Sequence, residues 1–264
     1  MKKYVWLVVL LLGLLAAAPV SADPEEENGG RIADIQERGV LLVGTTGDYR
    51  PMSFLDEENE TYEGFDVELA QRLAEALGVD TVEFVPTTWP QLLQDTVDGK
   101  FDVAMCGITK TAVREEAADM SRGYLTFGKT ILVRSADADK YRTLEDLNRP
   151  EVRVMVNPGG TNEKFAKEKL PKATLLIHPK NAEIPALVAD GKADVMITET
   201  MEARRCVRDD SRLAAPLINK PFTENHFGIL MMRQEDDLLP FINQWMEDIE
   251  ADGTLADMET RYIK

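Results

Sequence analysis

Cysteine and histidine are nearly missing from this 264-residue sequence, which has two of each. Cys106 and Cys206 stand far apart and form no CxxC pair, which excludes a disulfide framework; two free, largely buried thiols are expected. His178 and His226 are isolated, read as structural rather than catalytic, and leave no metal cluster to assemble. Positive charge is scarce as well. The 30 Lys and Arg face 47 Asp and Glu, a formal charge of −17, which argues against nucleic acid and against an anionic membrane surface as partners. That balance leaves room for one small anionic ligand. No P-loop, dinucleotide fingerprint or Ser-His-Asp arrangement is present, so no cofactor is implied.

The one long apolar run stands at the start. Lys2 and Lys3 precede Tyr4 to Ala18, and Val20-Ser21-Ala22 offers small residues at the cleavage positions, so residues 1–22 read as a signal peptide cut before Asp23. No cysteine lies near the cut, which argues against a lipid anchor, and no later stretch is long and apolar enough to span a bilayer. A soluble periplasmic protein is expected. Without the two leader lysines, the mature chain keeps 28 basic and 47 acidic residues, a charge of −19. Its roughly 240 residues suit two lobes of about 100 to 130 each. Residues 23–30, acidic and glycine-rich, read as a mobile lead-in. A homo-oligomer is compatible with the sequence, though nothing in it marks one.

After the leader, one plan appears twice. Strand Leu41–Gly44, helix Asp66–Leu77, strand Thr81–Val85, a helix opening at Pro90 and strand Asp102–Met105 make a βαβαβ unit. Val67, Ala70, Leu73, Ala74 and Leu77 fall on one face of the first helix at helical spacing. The second half repeats the order with strand Arg153–Val156, helix Asn162–Leu170, strand Thr174–Ile177, helix Ala182–Ala189 and strand Asp194–Ile197. Asp98-Gly99-Lys100-Phe101-Asp102 even matches Asp190-Gly191-Lys192-Ala193-Asp194 in letters. The expected fold is therefore α/β and two-lobed, each lobe a βαβαβ-based sheet flanked by helices, with a ligand cleft between the lobes. Apolar segments Lys129–Arg134 and His226–Arg233 read as crossovers. They divide the chain into a first lobe of residues 31–131 and 222–264 and a second of residues 132–221, with the last helices returning to the first lobe.

Ligands in open α/β sheets bind beyond the carboxyl ends of the strands. There lie Thr45 to Phe54 and Cys106 to Arg114 in the first half, and Asn157 to Asn162 and Thr198 to Glu202 in the second. The run Asn157-Pro158-Gly159-Gly160-Thr161-Asn162 reads as a strand end, a tight turn and a helix start, which turns bare N–H groups of Gly160 and Thr161 toward an anion; glycines also open helices for packing alone. Arg114 offers a planar fork for a carboxylate, with Thr109 beside it, or else pairs with Glu115 or Glu116 in solvent. Trp89, Tyr49 and Phe54 could wall a ring or fill core. Lys129 enters a strand near the hinge, as a cleft charge or a solvated one. Glu199 and Glu202 begin a helix, where acids are common for its dipole.

Gly107-x-Thr109-x-Thr111-x-x-Arg114, Gly64-Phe65-Asp66 and the Asp-Gly-Lys-x-Asp repeat resemble the periplasmic amino-acid-binding proteins of ABC transporters, from Ile35 nearly to the end. A narrower branch, the cyclohexadienyl dehydratases, is similar over Thr45 to Pro51, Thr88-Trp89-Pro90, Gly128-Lys129-Thr130, Asn157 to Ala166 and Glu202-Ala203-Arg204. This resemblance implies an exported enzyme that turns prephenate into phenylpyruvate and L-arogenate into L-phenylalanine. It implies Glu202 as general acid, Asn162 holding it and the substrate, and Arg114 taking a carboxylate. Cys106 stands where serine is usual, and Glu199 where aspartate is usual. The chemistry needs Glu202 protonated near neutral pH, hence raised by burial or a nearby negative charge. The rival expectation is a transport receptor, in which Glu199 would grip an α-amino group.

Overall fold

The computed structural model describes residues 30–234 and 237–264; the expected signal peptide and nearly all of the lead-in lie outside them. Two five-stranded sheets carry the chain. The first runs in the order Thr81–Pro86, Val40–Thr45, Val103–Ala104, Leu230–Met231, Asp119–Met120, and the second Thr174–Ile177, Arg153–Val156, Val195–Glu199, Lys129–Arg134, Leu213–Ala214. In each, the first three strands are parallel to one another, and the fourth runs antiparallel to both its neighbours. The two-lobed α/β plan read from the repeat is therefore present in both halves.

The repeated letters have a structural job. Gly99 and Gly191 take positive φ values of 66° and 71°, which lets each helix turn into its third strand. The aspartate that follows then ties that strand to the first. Asp102 accepts the backbone N–H of Leu42 at 2.8 Å, and Asp194 that of Arg153 at 3.0 Å.

Helices pack by the faces their spacing predicts. Helix Phe65–Ala76 buries Val67, Ala70, Leu73 and Ala74, followed by Leu77, and Gly78 ends it with φ 80°. The last helices, Leu238–Ala251 and Thr254–Tyr262, bury Ile242, Trp245, Met246 and Met258 in the first-lobe core. A separate core gathers Ile131, Val154, Val156, Phe165, Val195 and Ile197 in the second.

Two expectations change. Lys129–Arg134 is not a crossover but a full strand of the second sheet, because its apolar side chains fit an interior position between Val195–Glu199 and Leu213–Ala214; Lys129, Thr130 and Ile131 therefore lie in that sheet, not with the first lobe. The crossing pair is Leu125–Phe127 with Asn225–Phe227, an antiparallel ribbon of its own. The stretch Thr45 to Phe54, read as a loop, enters a three-stranded meander of Asp48–Tyr49, Ser53–Asp56 and Thr61–Glu63. Its second turn is closed by the Asp56 carboxylate, which accepts the amides of Glu58 and Asn59 at 3.0 and 3.3 Å, an Asx-type turn.

Candidate active site

Antiparallel pairing sets Lys129 opposite Glu199 at the cleft end of the second sheet. Both side chains are buried, about 4% and 5% exposed, and they form an ion pair. Lys129 Nζ also donates to Thr161 Oγ1 at 2.7 Å and Asn162 Oδ1 at 2.6 Å. The other side of Glu199 accepts Tyr49 OH at 2.9 Å and Asn162 Nδ2 at 3.3 Å. Burial lowers the pKa of Lys129 below the usual lysine value, against the pull of Glu199.

Glu202 lies in the first turn of helix Thr200–Asp209 and meets a different environment. Its Oε1 accepts Asn181 Nδ2 at 2.6 Å, and its Oε2 meets the Thr198 hydroxyl. Burial first, then the negative charge of Glu199, hold its pKa well above the carboxylate range. One glutamate faces an ammonium; the other faces only uncharged donors. Such a pair separates an ionised group from a proton carrier.

The first lobe supplies a wall. Tyr49 and Trp89 meet edge to face with ring centres 6.0 Å apart, and Trp89 Nε1 donates to Asp48 Oδ1 at 2.9 Å. Gly107 sits at φ 73°, and a Cβ there would come within 2.5 Å of the Tyr49 ring, so only glycine lets this turn lie against the tyrosine. Behind it, fully buried Asp66 accepts Gly107 N–H at 2.5 Å and Tyr124 OH at 2.8 Å. Burial raises Asp66 to about 7 despite those bonds.

Arg114 is buried and donates through Nη1 to the Thr109 carbonyl at 2.8 Å. Among the described residues no carboxylate comes within ion-pair distance of it. Glu115 pairs instead with Lys110, so the solvated pairing does not form. Across the cleft, Thr109 Oγ1 stands 3.5 Å from Thr161 Oγ1. Gly159 packs against Pro90 so closely that a Cβ would lie 2.6 Å from the proline nitrogen.

Together these groups surround a small cavity of about 20 Å³. Tyr49, Trp89, Gly107 and Thr109 line it from the first lobe. Asn157, Gly160, Thr161, Asn162, Asn181 and Glu199 line it from the second. Among the described residues no group of three or more His, Cys, Asp or Glu is placed to hold a metal.

Residues 41–264 match the bacterial extracellular solute-binding proteins, family 3. The chain belongs to this family. Cyclohexadienyl dehydratase from Pseudomonas aeruginosa is 43% identical over 253 residues, 96% of this chain and 91% of that one. The L-cystine-binding protein of Escherichia coli K12 is 26% identical over 97% of this chain and 93% of its own length. Among solved structures, an ancestral amino acid-binding protein, a precursor of cyclohexadienyl dehydratase, superposes with a TM-score of 0.82 at 40% identity, covering 88% of this chain and 99% of that one. An ancestral cyclohexadienyl dehydratase gives 0.55 at 50% identity, covering 89% and 97%. Identity is higher to the enzyme and shape nearer the binding protein. For a family 3 solute-binding protein, fold alone therefore does not choose between catalysis and binding.

In this solute-binding protein Tyr49, Trp89, Thr109, Gly160, Thr161 and Asn162 meet at one cavity. Lys129 and Glu202 lie just behind its wall, bonded to wall residues. Arg114 opens onto the adjoining groove beside Trp89, Gly160 and Thr161. Phe54 does not join them; it lies outside, under the Arg50 guanidinium. Neither histidine reaches the cavity. His178 bonds Glu183 and His226 meets Thr126. Cys106 and Cys206 are free thiols. Asn181, Thr198, Asp48 and Asp66 carry the site without having been singled out for it. Asp66 had a signal in Gly64-Phe65-Asp66, whereas Asn181 reads only as a polar residue ahead of a helix.

Proposed function

We propose that this protein is a cyclohexadienyl dehydratase acting outside the cytoplasm, in the periplasm, converting prephenate into phenylpyruvate and L-arogenate into L-phenylalanine. The reading is carried by the two buried glutamates. Glu199 is held by Lys129, while Glu202 has no cation on it and is held toward its neutral form. In prephenate the C–C bond to the ring carboxylate breaks, its electrons enter the ring, and the C–O bond to the ring hydroxyl breaks. Carbon dioxide and water leave, and an aromatic ring remains. Glu202 gives the hydroxyl its proton and afterwards recovers one from solvent. Arg114 takes a carboxylate, the Gly160 and Thr161 end of the helix favours negative charge, and Tyr49 with Trp89 confines the ring. Closed lobes keep water from the acid.

A receptor that binds an amino acid is favoured by one observation, the presence of Glu199 on the cavity wall. Such a receptor needs its carboxylate open to the ligand amino group. Here Lys129 and Tyr49 already hold Glu199, which supports the enzyme instead.

The test is phenylpyruvate formation from prephenate by the purified protein, with Glu202→Gln beside it. Wild type turns over, and the variant loses about a thousandfold in kcat while still binding prephenate. If neither turns over and an amino acid raises the Tm, the protein is a receptor.

A further inference from the structure

Asn181 opens the helical turn Asn181–Glu183 and is 2% exposed. Three relations converge on it. Its Nδ2 holds Glu202 Oε1 at 2.6 Å. Its backbone N–H faces Asp48 Oδ2 at 3.4 Å, and Nδ2 faces the Asp48 carbonyl at 3.5 Å, so the first-lobe meander rests on it when the lobes are together. Its Oδ1 is buried with no hydrogen-bond partner although the residue lines the cavity. A buried acceptor left open in the wall of a polar cavity is completed by what the cavity takes up.

We propose that Asn181 is a positioning residue for the acid step, holding Glu202 through Nδ2 while Oδ1 accepts the O–H of the hydroxyl that leaves. This rests on the dehydratase reading. The leaving oxygen then donates to Asn181 and turns a lone pair toward Glu202, whose O–H bond breaks as the new one forms. Water departs, and the Glu202 carboxylate stays held by the same amide until it is reprotonated. Asp48 seats the turn from the opposite lobe, so acid and hydroxyl are aligned only in the closed form.

The experiment uses Asn181→Leu, close in volume and without polar atoms, and Asn181→Ala. In wild-type background, kcat for prephenate falls about a hundredfold, well beyond a roughly tenfold rise in KM. The basic limb of the pH profile also moves to higher pH, because a donor that favours ionised Glu202 is gone. The other groups acting on Glu202 stay in place: Glu199, Asp48 and Thr198, with Tyr49, Lys129 and Cys206 nearby. In a Glu202→Gln background, Asn181→Leu weakens prephenate about tenfold and leaves phenylpyruvate, which lacks the ring hydroxyl, unchanged. Equal losses for the two ligands, or a kcat and basic limb like wild type, would overturn the role of Asn181. A wild type that does not act on prephenate would instead defeat the dehydratase reading.

Discussion

In the first lobe Asp102 ties the third strand to Leu42, and in the second Asp194 does the same at Arg153. The cleft ends of the same two sheets share nothing of the kind. The first lobe brings a tyrosine, a tryptophan, a glycine turn and one guanidinium without a carboxylate partner among the described residues. The second brings an ammonium, two glutamates and two asparagines within bonding distance of one another. Duplicated backbone sets where a cleft falls, and the side chains at the strand ends decide what happens there. In the proposed reaction, ring and carboxylate would be held from one side, and protons and charge managed from the other.

The contrast breaks most completely at Lys129. Lys129→Met leaves Glu199 buried without its cation, and the cost expected is about 3 to 5 kcal/mol, read as a fall in the denaturation midpoint. Adding Glu199→Gln restores much of it, since no charge is then left unpaired. If Lys129→Met alone is as stable as wild type, the second lobe is not organised by charge.

Next in size is the first lobe's own buried carboxyl. Asp66 is raised to about 7 in the folded state, above its unfolded value of about 3.9. The folded chain therefore binds the extra proton, and stability falls as pH rises through that interval. Between pH 5 and pH 8 the loss amounts to about 3 kcal/mol. Asp66→Asn removes that part of the decline, as chemical denaturation at the two pH values would reveal. A variant with the wild-type slope would assign the decline to another group.

The smallest effect sharpens the role of the second lobe. Glu199 raises Glu202 by its charge, so Glu199→Gln lets Glu202 ionise at lower pH. Activity that needs protonated Glu202 persists below its pKa and is lost above it, and the basic limb of kcat moves down. Movement upward would mean that Glu202 is not the proton carrier.

Much of this was readable from the letters. The Asp-Gly-Lys-x-Asp pair gave the duplication because the same turn and tie are needed twice, and the face of helix Phe65–Ala76 followed from its spacing. The Gly159-Gly160 turn also stood where expected. Other parts had no local signature. A two-residue strand such as Asp48–Tyr49 is too short for alternation to show. Lys129 opposite Glu199 depends on the register of strands seventy residues apart in sequence. Asn181 owes its place to Asp48 in the other lobe and to Glu202 beyond it, and no spacing rule reaches that far.

Gly159 makes the closed form a matter of a single methyl group. Its backbone lies so near the Pro90 ring that alanine would act as a wedge at the rim. The width at which the two halves come to rest is thus tied to a missing atom, and a side chain there would both press on Pro90 and strain a turn held at φ 77°.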